Sequence, residues 1–126
     1  MFSRFARYSL VFAVSFTQVV ALAQAAPSTS RGQISVAQVI QMLDKAPADR
    51  VAGQVLTAYL AGVGEAAGVA VDIGRASCAK TLNLTADHVR QAVSAAAGKP
   101  DAAEVAATPL IVRDMLERAK CRRSAT

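Results

Sequence analysis

Residues 48–71 have the sequence ADRVAGQVLTAYLAGVGEAAGVAV, the longest stretch of the chain with helical character and few polar interruptions. After Asp49 and Arg50 at its start, the polar side chains Gln54, Thr57 and Glu65 fall on one narrow strip of a helix, and most of the remaining surface is apolar. Such a helix is either the central element of a bundle or a membrane span. Glu65 would cost about 2.5 to 3.5 kcal/mol on insertion into a bilayer, and the stretch has few large aliphatic side chains to offset that cost. We therefore predict a buried helix in a soluble bundle and no stable membrane span in the mature chain.

Small residues recur along this helix. Gly64 and Gly68 are one turn apart, and Ala58, Gly62 and Ala66 form a second row at the same spacing. Rows of small side chains let two helix backbones approach closely. Two interpretations stay open at this point, which are tight packing inside an alanine-rich core and a homodimer seam at Gly64 and Gly68.

The N-terminal residues 1–25 have the pattern of a secretory signal. Arg4 and Arg7 precede an apolar run, and Ala23-Gln24-Ala25 matches a cleavage site. The mature chain would then begin near Ala26, and residues 26–34 are predicted to form a flexible lead-in. Such a signal directs the protein out of the cytoplasm, and we predict a periplasmic location.

The signal also changes how the composition is interpreted. It contains every aromatic residue except Tyr59, and the formal charge of +5 for the whole chain includes two of its arginines. The remaining net positive charge is accounted for by a C-terminal cluster of Arg118, Lys120, Arg122 and Arg123, so the body of the domain is nearly neutral. A nearly neutral body with one aromatic residue argues against a nucleic-acid partner.

Cap residues and apolar stripes define the other helices. Ser35 and Gln38 form a capping box ahead of one stripe. Gly74 is predicted to end the long helix in the left-handed conformation, and Thr85 to begin the next helix. Thr108-Pro109 has the pattern of an N-cap followed by proline at the first helical position.

These segments together predict an all-α fold. A short turn of helix is expected over residues 101–107, and no segment shows the alternating pattern of a strand. We predict a small disulfide-linked helical bundle of four to five helices, forming a single domain over residues 35–123.

Cys78 and Cys121 are the two cysteines of the chain. Because an exported protein reaches an oxidising compartment, we predict that they form a disulfide. The 43 positions between them correspond to about 4 kcal/mol of stabilisation in the chain-entropy model.

Residues suited to catalysis are few. His88 is the only histidine, and no cysteines or histidines have the spacing of a metal site, so no metal and no cofactor are predicted. The carboxylates are best explained as caps or solvated side chains. Cys78 with His88 is the one nucleophilic pair the residues allow, and it would require a free thiol. We therefore predict no catalytic residues and a binding or structural role.

The order of the motifs is more specific than any one of them. The segments in question are Tyr59-Leu60-Ala61-Gly62-Val63, Glu65-Ala66, Cys78, Leu84-Thr85-Ala86-Asp87-His88-Val89, Pro100-Asp101, Ala106-Ala107, Leu110-Ile111-Val112 and Ala119-Lys120-Cys121. In this order they resemble the Tai/Rap family of type VI secretion amidase-immunity proteins. The resemblance extends over residues 51–121.

The resemblance implies a small periplasmic helical protein, typically a homodimer, that binds a peptidoglycan-cleaving amidase and blocks its active site. A loop braced by the disulfide would fill the substrate groove of the enzyme. The candidates are the turn Gly98-Lys99-Pro100-Asp101 and the connection over residues 72–81. Either could equally be an ordinary turn.

Two other functions remain open. A periplasmic helical chaperone or adaptor would have the same composition but no single dedicated partner. An enzyme using Cys78 is the third reading, and it would require that the two thiols not be oxidised.

Overall fold

The computed structural model describes residues 25–123 of the chain. The predicted secretory signal lies outside the described residues except for Ala25. Within this range the chain forms four helices and two short strands. They are α1 (Val36–Lys45), α2 (Arg50–Ile73), β1 (Ala76–Cys78), α3 (Ala86–Ala97), α4 (Ala107–Arg118) and β2 (Cys121–Arg123).

Side-chain caps set the start of three helices. Ser35 and Gln38 form the predicted capping box of α1, with each side chain bonded to the backbone N–H of the other residue. Asp49 accepts from the N–H groups of Val51 and Ala52 in the first turn of α2, and Thr85 caps α3 as predicted. These residues satisfy N–H groups that have no partner inside the helix.

The start of α4 differs from the prediction. Its N-cap is Ala106, which provides no side-chain hydrogen bond, and residues 101–105 form turns in place of the predicted short helix. Thr108 therefore lies inside the helix and does not cap it. Its hydroxyl instead hydrogen-bonds the Tyr59 hydroxyl at 3.1 Å and so links α4 to α2.

The hydrophobic core lies where the four helices meet. Val39, Val89, Val93 and Ile111 have no exposed surface, and Met115 is 2% exposed. These side chains come from the apolar stripes of α1, α3 and α4, as the helical spacing predicts. Leu56, Val63 and Ala67 of α2 complete the core, so all four helices contribute to it.

The long helix α2 does not occupy the centre of the bundle, and the prediction of a buried helix was wrong. Only Leu56, Val63 and Ala67 of its 24 residues are buried. The other helices cover one side of α2 and leave the opposite side exposed, including Val51 at 64% and Ile73 at 80%. By length and composition alone α2 is also a possible membrane span, although a core helix or a signal sequence passes the same test.

Two three-residue strands add a small sheet to the predicted all-α fold. β1 and β2 pair antiparallel, with Cys78 directly opposite Cys121. We call this pair the ribbon. The segments are too short to show an alternating pattern, so the sequence predicted helices alone.

The segment predicted to be a flexible lead-in is held against the domain. Thr29 is buried, and the Ser35 hydroxyl donates to the Pro27 carbonyl at 2.7 Å. The Ala26 N–H donates to Gln41 in α1, and Ser35 forms a β-bridge with Ala106. Polar contacts of this kind leave no apolar periodicity in the sequence from which to predict them.

Candidate functional site

The disulfide joins the two strands of the ribbon. Cys78 and Cys121 are bonded as predicted, and the described residues include no free cysteine. The Lys80 N–H donates to the Ala119 carbonyl beside it, so the chain is fixed on both sides of the bridge. A disulfide of this kind fits an oxidising compartment outside the cytoplasm.

A basic residue in the left-handed backbone conformation precedes each strand of the ribbon. Arg75 has φ 46° and precedes β1, and Lys120 has φ 53° and precedes β2. Gly74, predicted to hold the left-handed position, instead has φ −74°. A Cβ at Gly74 would lie 2.8 Å from the Ala70 carbonyl oxygen, so close approach to the helix explains this glycine.

Basic side chains are concentrated around the ribbon. Arg75, Lys80, Lys120 and Arg122 are all exposed there. The rest of the described chain has nearly equal numbers of basic and acidic residues. The net positive charge of the domain is thus local to this end.

The predicted partner-binding turn, residues 98–101, lies between α3 and α4. Gly98, Lys99, Pro100 and Asp101 are all exposed. The Lys99 N–H donates to the Ala96 carbonyl, which extends the end of α3 into the turn. The turn therefore projects from the domain and remains available to a partner.

The residues that follow this turn are fixed against α1 and the lead-in. Val36 and Ala37 donate backbone hydrogen bonds to the carbonyls of Val105 and Ala102. The Ser30 N–H donates to the Glu104 carboxylate at 3.0 Å. Hydrogen bonds from the Ser30 backbone and side chain lower the pKa of Glu104.

The turn and the ribbon lie at opposite ends of α4. The turn leads into the start of α4 at Ala107, whereas the ribbon follows its end at Arg118. A 12-residue helix is about 18 Å long. The disulfide therefore restrains the connection over residues 72–81 and not the turn at 98–101. The turn is restrained instead by the hydrogen bonds that α1 and the lead-in make with the residues after it.

Gly64 and Gly68, the predicted dimer seam, make no close contact inside the domain. A Cβ added at either position, or at Gly62, would meet no heavy atom within 4 Å. Tight packing of the glycine rows in the core is therefore excluded for the described residues. The homodimer seam stays a prediction.

On a different side of α2 from Gly64 and Gly68 lies an exposed, uninterrupted apolar row, of which the sequence pattern identified only the central members Ala58, Gly62 and Ala66. Its seven residues are all exposed and follow the spacing 4-3-4-4-3-4. They are Val51, Val55, Ala58, Gly62, Ala66, Val69 and Ile73. We call this row the outer stripe. The spacing was visible in the sequence, but an apolar residue on almost every side of α2 concealed which row is left uncovered.

Tyr59 lies where α2 meets α4. Its side chain is half-buried, and burial raises the pKa of its hydroxyl against the smaller, opposite effect of the Thr108 hydrogen bond. Tyr59 belongs to the first segment of the family resemblance. In the structure it is a packing residue that connects two helices.

The residues considered for catalysis are not assembled into a site. The sulfur of Cys78 is bonded to Cys121, so a thiolate paired with His88 would require reduction of the disulfide. Among residues 25–123 there is no group of three histidine, cysteine or acidic side chains that could hold a metal. The described residues instead present an exposed turn at 98–101 and an exposed apolar face of α2.

Comparisons with known proteins returned no match. No family model, no curated protein and no solved structure is similar to the chain at a significant level.

Proposed function

We propose that this protein is a periplasmic immunity protein that binds a peptidoglycan amidase delivered by type VI secretion and occludes its active site. The resemblance to the Tai/Rap family supplies the function, and the fold supports a binding role. The proposal requires no catalytic group, metal or cofactor from this chain. It requires a stable frame that presents a fixed element to the enzyme.

The observation that carries the proposal is the placement of the resembling segments. Tyr59 anchors α2 to α4, Thr85 caps α3, and the two cysteines lie opposite each other in the ribbon. Residues that are far apart in the sequence thus hold the same set of helices together, and the ribbon links the end of α2 to the end of α4. A shared frame of this kind would account for the ordered spacing of the motifs.

The turn at residues 98–101 is the element that we propose enters the amidase groove. It is exposed, and hydrogen bonds from Val36 and Ala37 hold the residues on its C-terminal side. A fixed loop loses less conformational entropy on binding than a mobile one. Lys99 and Asp101 would supply polar contacts, and Pro100 would supply a rigid apolar one.

The test measures both protection and inhibition. The product of the adjacent open reading frame, which the proposal expects to be a Cys/His amidase, is exported to the periplasm of a host with and without this protein, and cell lysis is followed. The purified pair is then titrated in a peptidoglycan-cleavage assay, where one bound copy per amidase should abolish activity. No protection together with no inhibition would contradict the proposal.

Charge reversal locates the contact. Lys99→Glu combined with Asp101→Lys should weaken inhibition by about 30-fold or more, the size expected at the centre of an interface. Lys45→Glu is the control, because Lys45 is exposed at the opposite end of α1 from the turn. If both variants inhibit the amidase equally well, the turn is not the contact, and the connection over residues 72–81 becomes the candidate.

A chaperone or adaptor is the second candidate, and the outer stripe is the observation that favours it. Exposed apolar surface can bind unfolded clients without a dedicated partner. This function predicts suppression of aggregation for several unrelated periplasmic proteins. It also predicts that this protein suppresses aggregation of the exported amidase no better than it suppresses aggregation of those other proteins.

A further inference from the structure

One end of the domain carries the whole of its excess positive charge. Residues 72–81 and 117–123, which include the ribbon, contain six basic and two acidic residues, whereas the rest of residues 26–126 contains six basic and seven acidic residues. No described residue forms an ion pair with the four exposed basic side chains of this end, which are Arg75, Lys80, Lys120 and Arg122. Unpaired charge of one sign at one end of a domain attracts a partner of opposite charge to that end.

The ribbon directs part of this charge away from the helices. Successive side chains of a strand point to opposite faces. Ser77 and Arg122 pair across the ribbon, and both are exposed. The residues beside them, Ala76 and Cys121, are half-buried and line a cavity of about 250 Å³ between the ribbon, α2 and α4. One face of the ribbon therefore covers the helices, and the other presents a basic side chain to the surroundings.

Exposed apolar side chains border the ribbon. Four exposed residues in the last turns of α2 have the spacing i, i+3, i+4 and i+7, which places them on one side of the helix. We call them the apolar patch, and they are Ala66, Val69, Ala70 and Ile73. Val69 is 54% exposed and Ile73 is 80% exposed. Ala70 also lines the cavity behind the ribbon, so the apolar patch and the basic ribbon form one continuous surface.

The carboxylates of α2 nearest this surface lie on its far side. Asp72 is two positions from Ala70 and is therefore about 200° around the helix from it. Glu65, seven positions before Asp72, lies on the same side as Asp72. Because Ala70 faces the ribbon, both carboxylates lie away from it. Glu117 of α4 is the other acidic residue of this end, and the four exposed basic side chains outnumber it.

We propose that the ribbon and the apolar patch together bind the surface of an anionic phospholipid bilayer. The basic side chains contact lipid phosphates, and Val69 and Ile73 enter the boundary between headgroups and acyl chains. Peripheral proteins attach in this way, by adding electrostatic attraction to buried apolar area. A soluble acidic polymer would match the charges but would leave these two apolar side chains in water. This inference does not depend on the amidase proposal.

Attachment through this end leaves the turn at residues 98–101 accessible. The turn and the ribbon lie at opposite ends of α4, about 18 Å apart along the helix axis. The bound protein therefore holds the turn away from the bilayer, where a soluble partner can reach it. Attachment of this kind is reversible, because a few basic residues and two apolar side chains bind a bilayer far less strongly than a spanning helix does.

The first experiment is co-sedimentation of the exported, oxidised protein with lipid vesicles. At about 50 mM salt it should bind vesicles of phosphatidylglycerol and phosphatidylcholine in equal parts at least about 20-fold more tightly than vesicles of phosphatidylcholine alone. Raising the salt to about 300 mM should remove most of this preference, because salt screens the charges. Equal binding to both vesicles, or binding to neither, would overturn the proposal. Binding to soluble polyglutamate without binding to vesicles would overturn it in favour of an acidic protein.

Neutral substitutions test the part played by the ribbon. Lys80→Gln combined with Arg122→Gln removes two charges and leaves the two left-handed residues unchanged. This variant should bind anionic vesicles about 20-fold more weakly, since each basic residue near such a surface contributes about a factor of 5. Arg31→Gln combined with Lys45→Gln is the matched control, because it removes the same charge from exposed positions away from the ribbon. Equal weakening in the two variants would contradict the assignment to this end.

A fluorescent label tests the apolar contact. Ile73→Cys is labelled at its new thiol with an environment-sensitive fluorophore, and the native cysteines do not react because they are bonded to each other. Its emission should shift to the blue when anionic vesicles are added. Val51→Cys is the control, since Val51 is 64% exposed at the other end of the same helix. An equal shift at both positions, or a shift at Val51 alone, would overturn the proposed orientation.

Discussion

At the scale of single residues, Ser35 connects two parts of the chain. Its buried hydroxyl accepts from the Gln38 N–H and donates to the Pro27 carbonyl. One side chain therefore caps α1 and holds the lead-in. The capping box was predictable from Ser35 and Gln38 alone, whereas the bond to Pro27 required the folded path of the lead-in.

We expect Ser35→Ala to lower the free energy of unfolding by about 2 kcal/mol, from loss of the cap and of one buried hydrogen bond. Urea denaturation followed by circular dichroism measures the change. Ser94→Ala is the control, because the Ser94 hydroxyl is exposed and bonds only the Gln91 carbonyl in its own helix. An equal loss in the two variants would show that Ser35 has no special role.

The hydrogen bond between the Glu104 carboxylate and Ser30 of the lead-in should depend on pH. Its folded pKa is lowered from an ordinary value near 4.5 by hydrogen bonds from Ser30. The stabilisation is therefore present above about pH 4.5 and is lost as the pH falls through the lowered folded pKa. The Ser30 amide should be protected from hydrogen exchange at pH 7 and lose that protection in acid. In Glu104→Gln the protection should not vary with pH, and the same acid loss in that variant would contradict this assignment.

Glycine positions show where residue patterns mislead. The sequence placed Gly74 in the left-handed position at the end of α2, which Arg75 occupies instead. The pattern correctly located the end of the helix to within two residues. It could not show that the Ala70 carbonyl leaves no space for a Cβ at Gly74.

At the scale of secondary structure, the amphipathic helices were predictable and α2 was not. α1, α3 and α4 each have one apolar stripe, and those stripes form the core together with three residues of α2. In α2 small apolar residues surround the helix, so composition does not indicate which side is covered. Only the positions of the other three helices select Leu56, Val63 and Ala67 for the core.

This difference between helices predicts the effect of truncating isoleucines. Ile111 in α4 is fully buried, and Ile111→Ala should destabilise the domain by about 2 to 5 kcal/mol through lost burial and the cavity left behind. Ile73→Ala removes the same atoms from an exposed position, so it should change stability by less than about 0.5 kcal/mol at sub-micromolar protein concentration. Chemical denaturation of both variants measures the contrast. Similar losses would mean that Ile73 is buried in the monomer.

At the scale of the whole molecule, two long-range ties close the domain at opposite ends. The bridge between Ser35 and Ala106 joins the starts of α1 and α4. The ribbon joins the end of α2 to the end of α4 through the disulfide. The sequence predicted the second tie from two cysteines and an export signal, but the first rests on backbone hydrogen bonds that any residue can make.

The disulfide should account for much of the net stability. Residues Cys78 and Cys121 are separated by 43 positions, and closing such a loop restricts the unfolded chain by about 4 kcal/mol. Small domains have only about 5 to 15 kcal/mol in total. Cys78→Ser combined with Cys121→Ser should therefore lower the thermal midpoint by about 15 to 30 °C, and reduction of the wild type should do the same. Because α1, α3 and α4 supply most of the core, we expect the reduced protein to stay folded at 25 °C, with loss of amide protection concentrated in the ribbon. A shift of less than about 5 °C would show that the packed helices, and not the covalent tie, restrict this end of the molecule.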